Sequence, residues 1–225
     1  MLQVNSLKKS YGRRIVLEDV HFQVASGQIV GLVGENGAGK STLLQILATL
    51  TKPNEGTLTY KGLEYGSKDE KKLRKEIGFV PQDIALWEDF SVKENMLFFE
   101  KLSWVKKNKQ ELRTLLEEMN LDRWKENVTK LSGGMRRKLN LAISLIHDPS
   151  LILLDEPTTG IDLKSRKEIG NYLHKQAKQA GKTIIYTSHD MNEIMDICDQ
   201  VFFIGKDSFY AKVLEESGQE VIRLM

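Results

Sequence analysis

The chain has a single cysteine, no long apolar run and no surplus of either charge, and each absence narrows what it can be. Cys198, alone among 225 residues, cannot close an internal disulfide. With Ile197 and Val201 as neighbours it is expected to be a buried, inert thiol in a reducing cytosol. No segment approaches the roughly 18 to 20 apolar residues that a membrane span needs, and Met1–Ser10 lacks the charged-then-apolar layout of a signal peptide. Any link to a membrane must therefore be borrowed from a partner. Lysine and arginine number 33 against 31 aspartates and glutamates, a formal charge of +2, so electrostatics alone supports no nucleic-acid partner. The densest basic runs, Lys68 to Lys75 and the cluster Lys106, Lys107 and Lys109, read as solvated helix faces. No internal repeat or low-complexity tract is visible. The length suits one enzyme-sized domain that buries roughly 70% of its unfolded surface.

What is present begins with short alternating strands at Leu2/Val4, Ile15 to Leu17 and Val20/Phe22/Val24, with turns at Gly12 and at Ser26-Gly27. Ile29 to Val33 is apolar without alternation, as a strand buried on both faces of a parallel sheet must be, and it leads into a helix from Lys40 to about Thr49. Thr57 to Tyr60 reads as another exposed strand. From Ser91 the period becomes helical. Ser91 and Glu94 form a capping box before Val92, Met96, Phe99 and Leu102, a second helix covers about Gln110 to Met119, and a third begins near Ser132 with Met135, Leu139, Ala142, Ile143 and Ile146 on one face. Buried strands return at Leu151 to Leu154, Thr183 to Thr187 and Val201 to Ile204, with a helix from about Asp162 that ends at a glycine cap, Gly181. Strands alternating with helices predict a parallel α/β sheet with an antiparallel edge from the N-terminal strands and a helical insertion after Gln82.

Gly34, Glu35, Asn36, Gly37, Ala38, Gly39, Lys40 and Ser41 fit G-x-x-x-x-G-K-[ST], with Thr42 next, after a buried strand and at a helix start. Glycines let such a loop wrap its backbone N–H groups around phosphate oxygens, and the helix dipole adds positive potential. Lys40 is then placed to reach the β/γ-phosphates and Ser41 to ligate Mg²⁺. Asp155 and Glu156 end an apolar strand. Beside a phosphate loop they divide the labour: Asp155 holds Mg²⁺ through water, and Glu156 orients and deprotonates the attacking water. Pro157 stiffens the exit from that strand. His189 follows another buried strand, so it emerges at the same sheet edge, where imidazole can hydrogen-bond a phosphate. Gln82 lies where a third strand ends and can offer its amide to Mg²⁺ or the water.

Leu131-Ser132-Gly133-Gly134-Met135 remains. Ser132 is a natural N-cap, and the two glycines expose N–H groups at a helix N-terminus, which makes a second anion site. One ATP already has a complete phosphate loop, so this second site is expected to serve the ATP of a partner subunit.

The ordered set Tyr11, Gly34 to Thr42, Gln82, Leu131 to Met135, Leu151 to Glu156, Asp162 and His189 resembles the nucleotide-binding subunit of an ABC transporter over nearly the whole chain. That resemblance implies a P-loop NTPase (RecA-like) α/β core with an N-terminal antiparallel β subdomain and an inserted α-helical subdomain. The expected bounds are 1–81 and 148–225 for the core and 82–147 for the helices, within one domain. It implies an ATP-sandwich homodimer or heterodimer, Mg²⁺ as cofactor, a transmembrane subunit as partner and a position on the cytoplasmic face of the cell membrane. It also assigns roles: Tyr11 stacks on adenine, Gln82 touches Mg²⁺, Glu156 is the general base, Asp162 lies at the dimer interface beside Ser132, Gly133 and Gly134, and His189 is the switch histidine. Asp162 reads equally as a helix N-cap. Met135 stands where many relatives carry glutamine, and Gly-Gly-Met-Arg-Arg-Lys resembles exporter-type ATPases. The alternative is a soluble ATPase of the same class serving iron-sulfur assembly, DNA repair or ribosomes. The same resemblance implies that the segment Ile84 to Asp89 lies near the docking groove for the membrane partner, where exposed Leu86 and Trp87 would serve; the two read equally as core packing.

Overall fold

The computed structural model describes residues 1–224. Strand β1 (Leu2–Tyr11) pairs antiparallel with β2 (Arg14–Val24) across the Gly12 turn, from Leu2 opposite Val24 to Tyr11 opposite Arg14. Alternation decides which side faces the core: Leu2, Val4, Leu7, Leu17, Val20, Phe22 and Val24 are buried, while Asn5, Ser6, Glu18, Asp19, His21 and Gln23 face water. Strand β3 (Ile29–Val33), buried at all five positions, starts a different sheet and is followed by α1 (Lys40–Leu47). Strands β4 (Glu55–Tyr60) and β5 (Leu63–Glu64) return to the first sheet, which runs β2-β1-β4-β5.

The second sheet uses β6 (Ile77–Val80), β7 (Leu151–Leu154), β8 (Thr183–Thr187), β9 (Gln200–Phe203) and β10 (Val221–Arg223) in the order β10-β9-β3-β8-β7-β6, every pair parallel. The N-terminal strands therefore do not edge this sheet, as the sequence suggested. They make a separate layer, because a half-polar alternating strand has only one face to bury whereas the parallel strands have two. Leu2, Leu7 and Leu17 from the first sheet meet Leu43, Leu44 and Leu47 of α1, and Val30 and Leu32 of β3, in one buried cluster.

Helices α2 (Glu70–Glu76), α3 (Val92–Leu102), α4 (Lys109–Glu117), α5 (Gly133–Ser144), α6 (Leu163–Lys178), α7 (Met191–Ile197) and α8 (Ser208–Glu216) fill the connections. The capping box of α3 is present: Ser91 N–H donates to Glu94 Oε2 at 2.8 Å and Glu94 N–H to Ser91 Oγ at 3.3 Å. Leu102 departs from its expected core position, lying 69% exposed at the last turn of α3, where no neighbour covers it. Helix α6 stops at Lys178, and Gly181 lies beyond its Gln179 cap with φ +68°. Buried Lys138 of α5 pairs with Glu168 of α6, so the helical insertion is clamped to the core by charge as well as packing.

Candidate active site

Four strands of the parallel sheet release their chains at one edge. After β3 comes the loop 34–39, after β6 Gln82, after β7 Asp155 and Glu156, and after β8 His189. Carboxyl ends of open parallel sheets are where ligands bind, and β3, flanked by β8 and β9, sits at the point where the strand order reverses.

The loop is tight because glycine alone fits it. A Cβ on Gly34 would lie 1.9 Å from the carbonyl oxygen of Ile204, and one on Gly39, at φ +111°, would lie 2.8 Å from Leu17. Lys40 is buried, and its ammonium donates to the carbonyls of Gly34 at 2.7 Å and Glu35 at 3.1 Å. An ammonium carries three protons, so one donor remains for a phosphate. Burial lowers the pKa of Lys40, opposed by the carboxylates of Glu156, Asp155 and Glu35. A bound anion would add to those carboxylates in offsetting the cost of burial.

A cavity of about 690 Å³ opens over this loop. It is lined by Asn36, Gly37, Gly39, Lys40, Ser41 and Thr42, by Gln82, Glu156 and His189, and by Tyr11, Arg14 and Val16 from the first sheet. Two of these, Arg14 and Val16, have no signal in the sequence. Only the β1/β2 hairpin, which sets Arg14 opposite Tyr11, carries them there. Tyr11 is 49% exposed, and Lys9 Nζ stands 4.9 Å from its ring centroid. Glu35 turns away from the cavity: its Oε1 accepts the N–H of Lys206 at 3.0 Å. Burial would raise its pKa, but that bond and other backbone donors outweigh it and hold the carboxyl below its ordinary value.

Glu156 is the centre of the acidic edge. Its Oε1 lies 2.7 Å from His189 Nε2, and its Oε2 accepts from Gln82 Nε2 at 3.2 Å and from Thr159 Oγ1 at 3.1 Å. The backbone here has φ +49°, a conformation that costs a non-glycine residue about 1–3 kcal/mol, and Glu156 N–H is anchored on Thr187 Oγ1 at 2.9 Å. Pro157 alone does not account for this aim, since the residue before proline ordinarily stays extended. Buried Asp155 receives Thr187 Oγ1 on Oδ1 at 3.0 Å. Among the described residues no cluster of three or more His, Cys, Asp or Glu could hold a metal. The oxygens at hand, Ser41 Oγ and the Asp155 carboxylate, are the kind and number of protein ligands that Mg²⁺ takes before completing its shell with phosphates and water.

Ser132, Gly133, Gly134 and Asp162 stand apart from the lining of this cavity. Ser132 Oγ caps α5 by accepting Met135 N–H at 3.3 Å, and Asp162 caps α6 by accepting Ser165 N–H at 2.9 Å. Arg137 of α5 donates to the carbonyl of Gln82, and Asn140 Oδ1 accepts Ala85 N–H at 3.2 Å. The helix that begins at Ser132 thus holds the segment that carries Gln82. Further along this segment Leu86 packs on the core while Trp87 is 52% exposed, its ring 6.0 Å from that of Phe90 and 5.8 Å from that of Phe98.

The profile of the ABC transporter family matches residues 17–159. The linearmycin resistance ATP-binding protein of Bacillus subtilis is 37% identical over 94% of this chain and 68% of its own length. A Nod factor export ATP-binding protein of Rhizobium is 38% identical over 99% and 76%. Among solved structures, a dimeric ATP-binding cassette in a post-hydrolysis state with ADP and Pi superposes with a TM-score of 0.78 at 28% identity, covering 91% of this chain and 94% of that one. A component of an ABC transporter complex from Clostridium perfringens gives 0.80 at 28%, covering 96% and 91%.

Proposed function

The chain belongs to the ABC transporter family as an ATP-binding, ATP-hydrolysing subunit, and from that premise we propose that it powers an exporter through a dimer that sandwiches two ATP molecules. The observation that carries the reading is Glu156, held between Gln82 and His189 at the wall of the cavity above Lys40.

In this reading the backbone of residues 34–39 and Lys40 take the β/γ-phosphates, Thr42 adds to them from the same first turn of α1, and Tyr11 stacks on the base. Ser41 and Asp155, with Gln82 beside them, would hold Mg²⁺, which neutralises phosphate charge when bound. Glu156 takes the proton of the attacking water, and His189 fixes Glu156 and the γ-phosphate relative to each other. Ser132, Gly133, Gly134 and Asp162 meet the ATP held by a second subunit, which explains why they lie apart from this chain's own cavity. The helical unit 82–147 moves against the core 1–81 and 148–225, and the exposed aromatic cluster around Trp87 meets a transmembrane subunit. No helix among the described residues is long and apolar enough to cross a membrane; in this reading the transmembrane partner holds the chain peripherally, on the cytoplasmic face. The export role named for the Rhizobium relative, beside the resistance role named for the Bacillus one, supports an exporter over a soluble ATPase.

Glu156→Gln tests this. ATP binding should persist, hydrolysis should fall by about 10²- to 10⁴-fold, and ATP should trap a dimer on gel filtration. Hydrolysis at the wild-type rate would remove Glu156 as the base.

A further inference from the structure

Glu193 on α7 is 4% exposed and takes no part in the chemistry above. Its Oε2 accepts two hydroxyls from different loops: Thr158 Oγ1 at 2.9 Å, from the loop after β7, and Ser188 Oγ at 2.7 Å, from the loop after β8. Both donors are themselves buried and engaged. Ser188 Oγ accepts Asp190 N–H at 3.1 Å, which ties the chain on either side of His189. Thr158 Oγ1 lies 2.9 Å from Tyr186 Oη. Burial, reinforced by the Glu193 carboxylate, pushes the Tyr186 phenol up and keeps it a donor. The network therefore has one direction of donation: Tyr186 to Thr158 to Glu193, and Asp190 to Ser188 to Glu193.

The other oxygen, Oε1, makes no hydrogen bond and faces Arg166 Nε at 3.8 Å, while the Arg166 guanidinium also holds Asp190. Burying a carboxylate this deeply is costly unless its partners are in place. What it supplies here is a single acceptor shared by two loops, each of which carries one member of the Glu156–His189 pair. Thr158 stands two positions after Glu156, and Ser188 stands one position before His189.

We propose that Glu193 is a positioning residue for ATP hydrolysis: its buried Oε2 locks the loop after β7 to the loop after β8 and so fixes Glu156 and His189 at their working separation. The proposal rests on Glu156 being the base. Because Glu193 touches neither phosphate loop nor base-stacking residue, its loss should appear in kcat and leave nucleotide affinity alone.

Glu193→Ala should lower kcat for ATP hydrolysis by roughly 10- to 100-fold, the usual penalty for losing an orienting partner, with KM for ATP and the Kd of a fluorescent ATP analogue within about threefold of wild type. Glu193→Gln retains an oxygen that accepts both hydroxyls and should recover most of kcat, which a role resting on the carboxylate charge would not produce; Ser188→Ala and Thr158→Val, which keep Glu193 in place, separate the hydrogen bonds from packing. Should Glu193→Ala fail to fold, the pair Ser188→Ala and Thr158→Val removes the two arms while keeping the carboxylate, and each should reproduce part of the kcat loss. Wild-type kcat in Glu193→Ala, or in both arm variants, overturns the proposal. So does a fall in kcat matched by an equal loss of ATP binding. Glu156→Gln measured alongside keeps the two readings apart: if it is inactive while Glu193→Ala is normal, only the positioning role fails.

Discussion

Gly134 and Ser165 are packed so closely that a Cβ on the glycine would lie 2.1 Å from the serine Oγ and 2.5 Å from its Cβ. The first turns of α5 and α6 interlock there, and Asp162 Oδ2, 3.0 Å from the same point, accepts Ser165 Oγ at 2.7 Å. Gly133 is different, for its added Cβ meets nothing nearer than Gly160 O at 4.0 Å. The adjacent glycines thus differ: Gly134 permits helix contact, whereas the exposed end of α5 has room for a side chain at Gly133.

Gly134→Ala should therefore destabilise the fold by about 1–3 kcal/mol, the ordinary penalty for overpacking. Gly133→Ala should change stability by less than about 1 kcal/mol, because alanine suits a helix better than glycine. Urea titration of the two variants distinguishes them. Equal losses would mean that the contact with Ser165 relaxes freely.

Much of this site was legible in the sequence because its parts are tied to signals that short segments carry. A phosphate loop must follow a buried strand, Ile29 to Val33 is apolar throughout, and Ser91 with Glu94 announces its own helix start. What stayed hidden depends on pairing in space. Arg14 reaches the cavity only through the hairpin partner of Tyr11. Glu193 looks like one more acid in a short polar helix until Thr158 and Ser188 converge on it. Helix α2 bears out the solvated helix face read for Lys68 to Lys75, but its bounds stayed hidden, since Leu73 is its one buried residue and a single apolar position shows no period.

Tyr11 offers one face to Lys9, with Nζ 4.9 Å from the ring centroid, so a base would stack on the other. Removing a stacking platform costs about 1–3 kcal/mol. Tyr11→Ala should thus raise KM for ATP by roughly 5- to 150-fold with kcat little altered, and Tyr11→Phe should behave as wild type. A steady-state titration with ATP separates the two parameters, and an unchanged KM in Tyr11→Ala would leave adenine without this partner.

Cys198 is buried at the C-terminal cap of α7, with its Sγ against Gly31 of β3, and burial, with the nearby Asp199 and Glu193 carboxylates adding to it, pushes its thiol up well above the ordinary range. The reactive thiolate is therefore scarce in the folded protein. At about pH 8 a thiol reagent should label the native chain far more slowly than the urea-unfolded chain, in which the thiol returns to its ordinary pKa near 8.5. Rapid labelling of the native state would place Cys198 in solvent.

Glu76 joins the end of α2 to the start of β7. Ser150 Oγ donates to its Oε2, and Lys61 Nζ lies 3.0 Å away. The Ser150 hydrogen bond is the main reason its pKa falls below 4.5, with Lys61 adding to it and burial opposing. A depressed folded pKa gives stability that is present above the unfolded value and lost as pH drops through the folded one. The stability gap between wild type and Glu76→Gln should be widest near neutral pH and should close as pH falls below about 4.5, read from urea midpoints. A gap that widened with acid would reverse the sign assigned to Glu76.

The separation of Ser132 from the Lys40 cavity gives the dimer its sharpest test. Ser132 is exposed, and its hydroxyl caps α5 through Met135 N–H. Aspartate caps a helix as well as serine does, so Ser132→Asp should fold normally and bind ATP at its own Lys40 loop. It would set a negative charge against the phosphates of the partner's ATP, at a cost of several kcal/mol in a desolvated contact, and turnover should collapse. Lys40→Ala should also be inactive, for the opposite reason, because its own loop no longer holds ATP. Mixed together, these two dead chains can pair so that one of the two composite sites has an intact Lys40 from one chain and an intact Ser132 from the other. About half the dimers formed at random are mixed, each with one sound site, so activity should return to about a quarter of the wild-type level. Sites built within a single chain predict no recovery from any mixture, and that result would dismantle the sandwich.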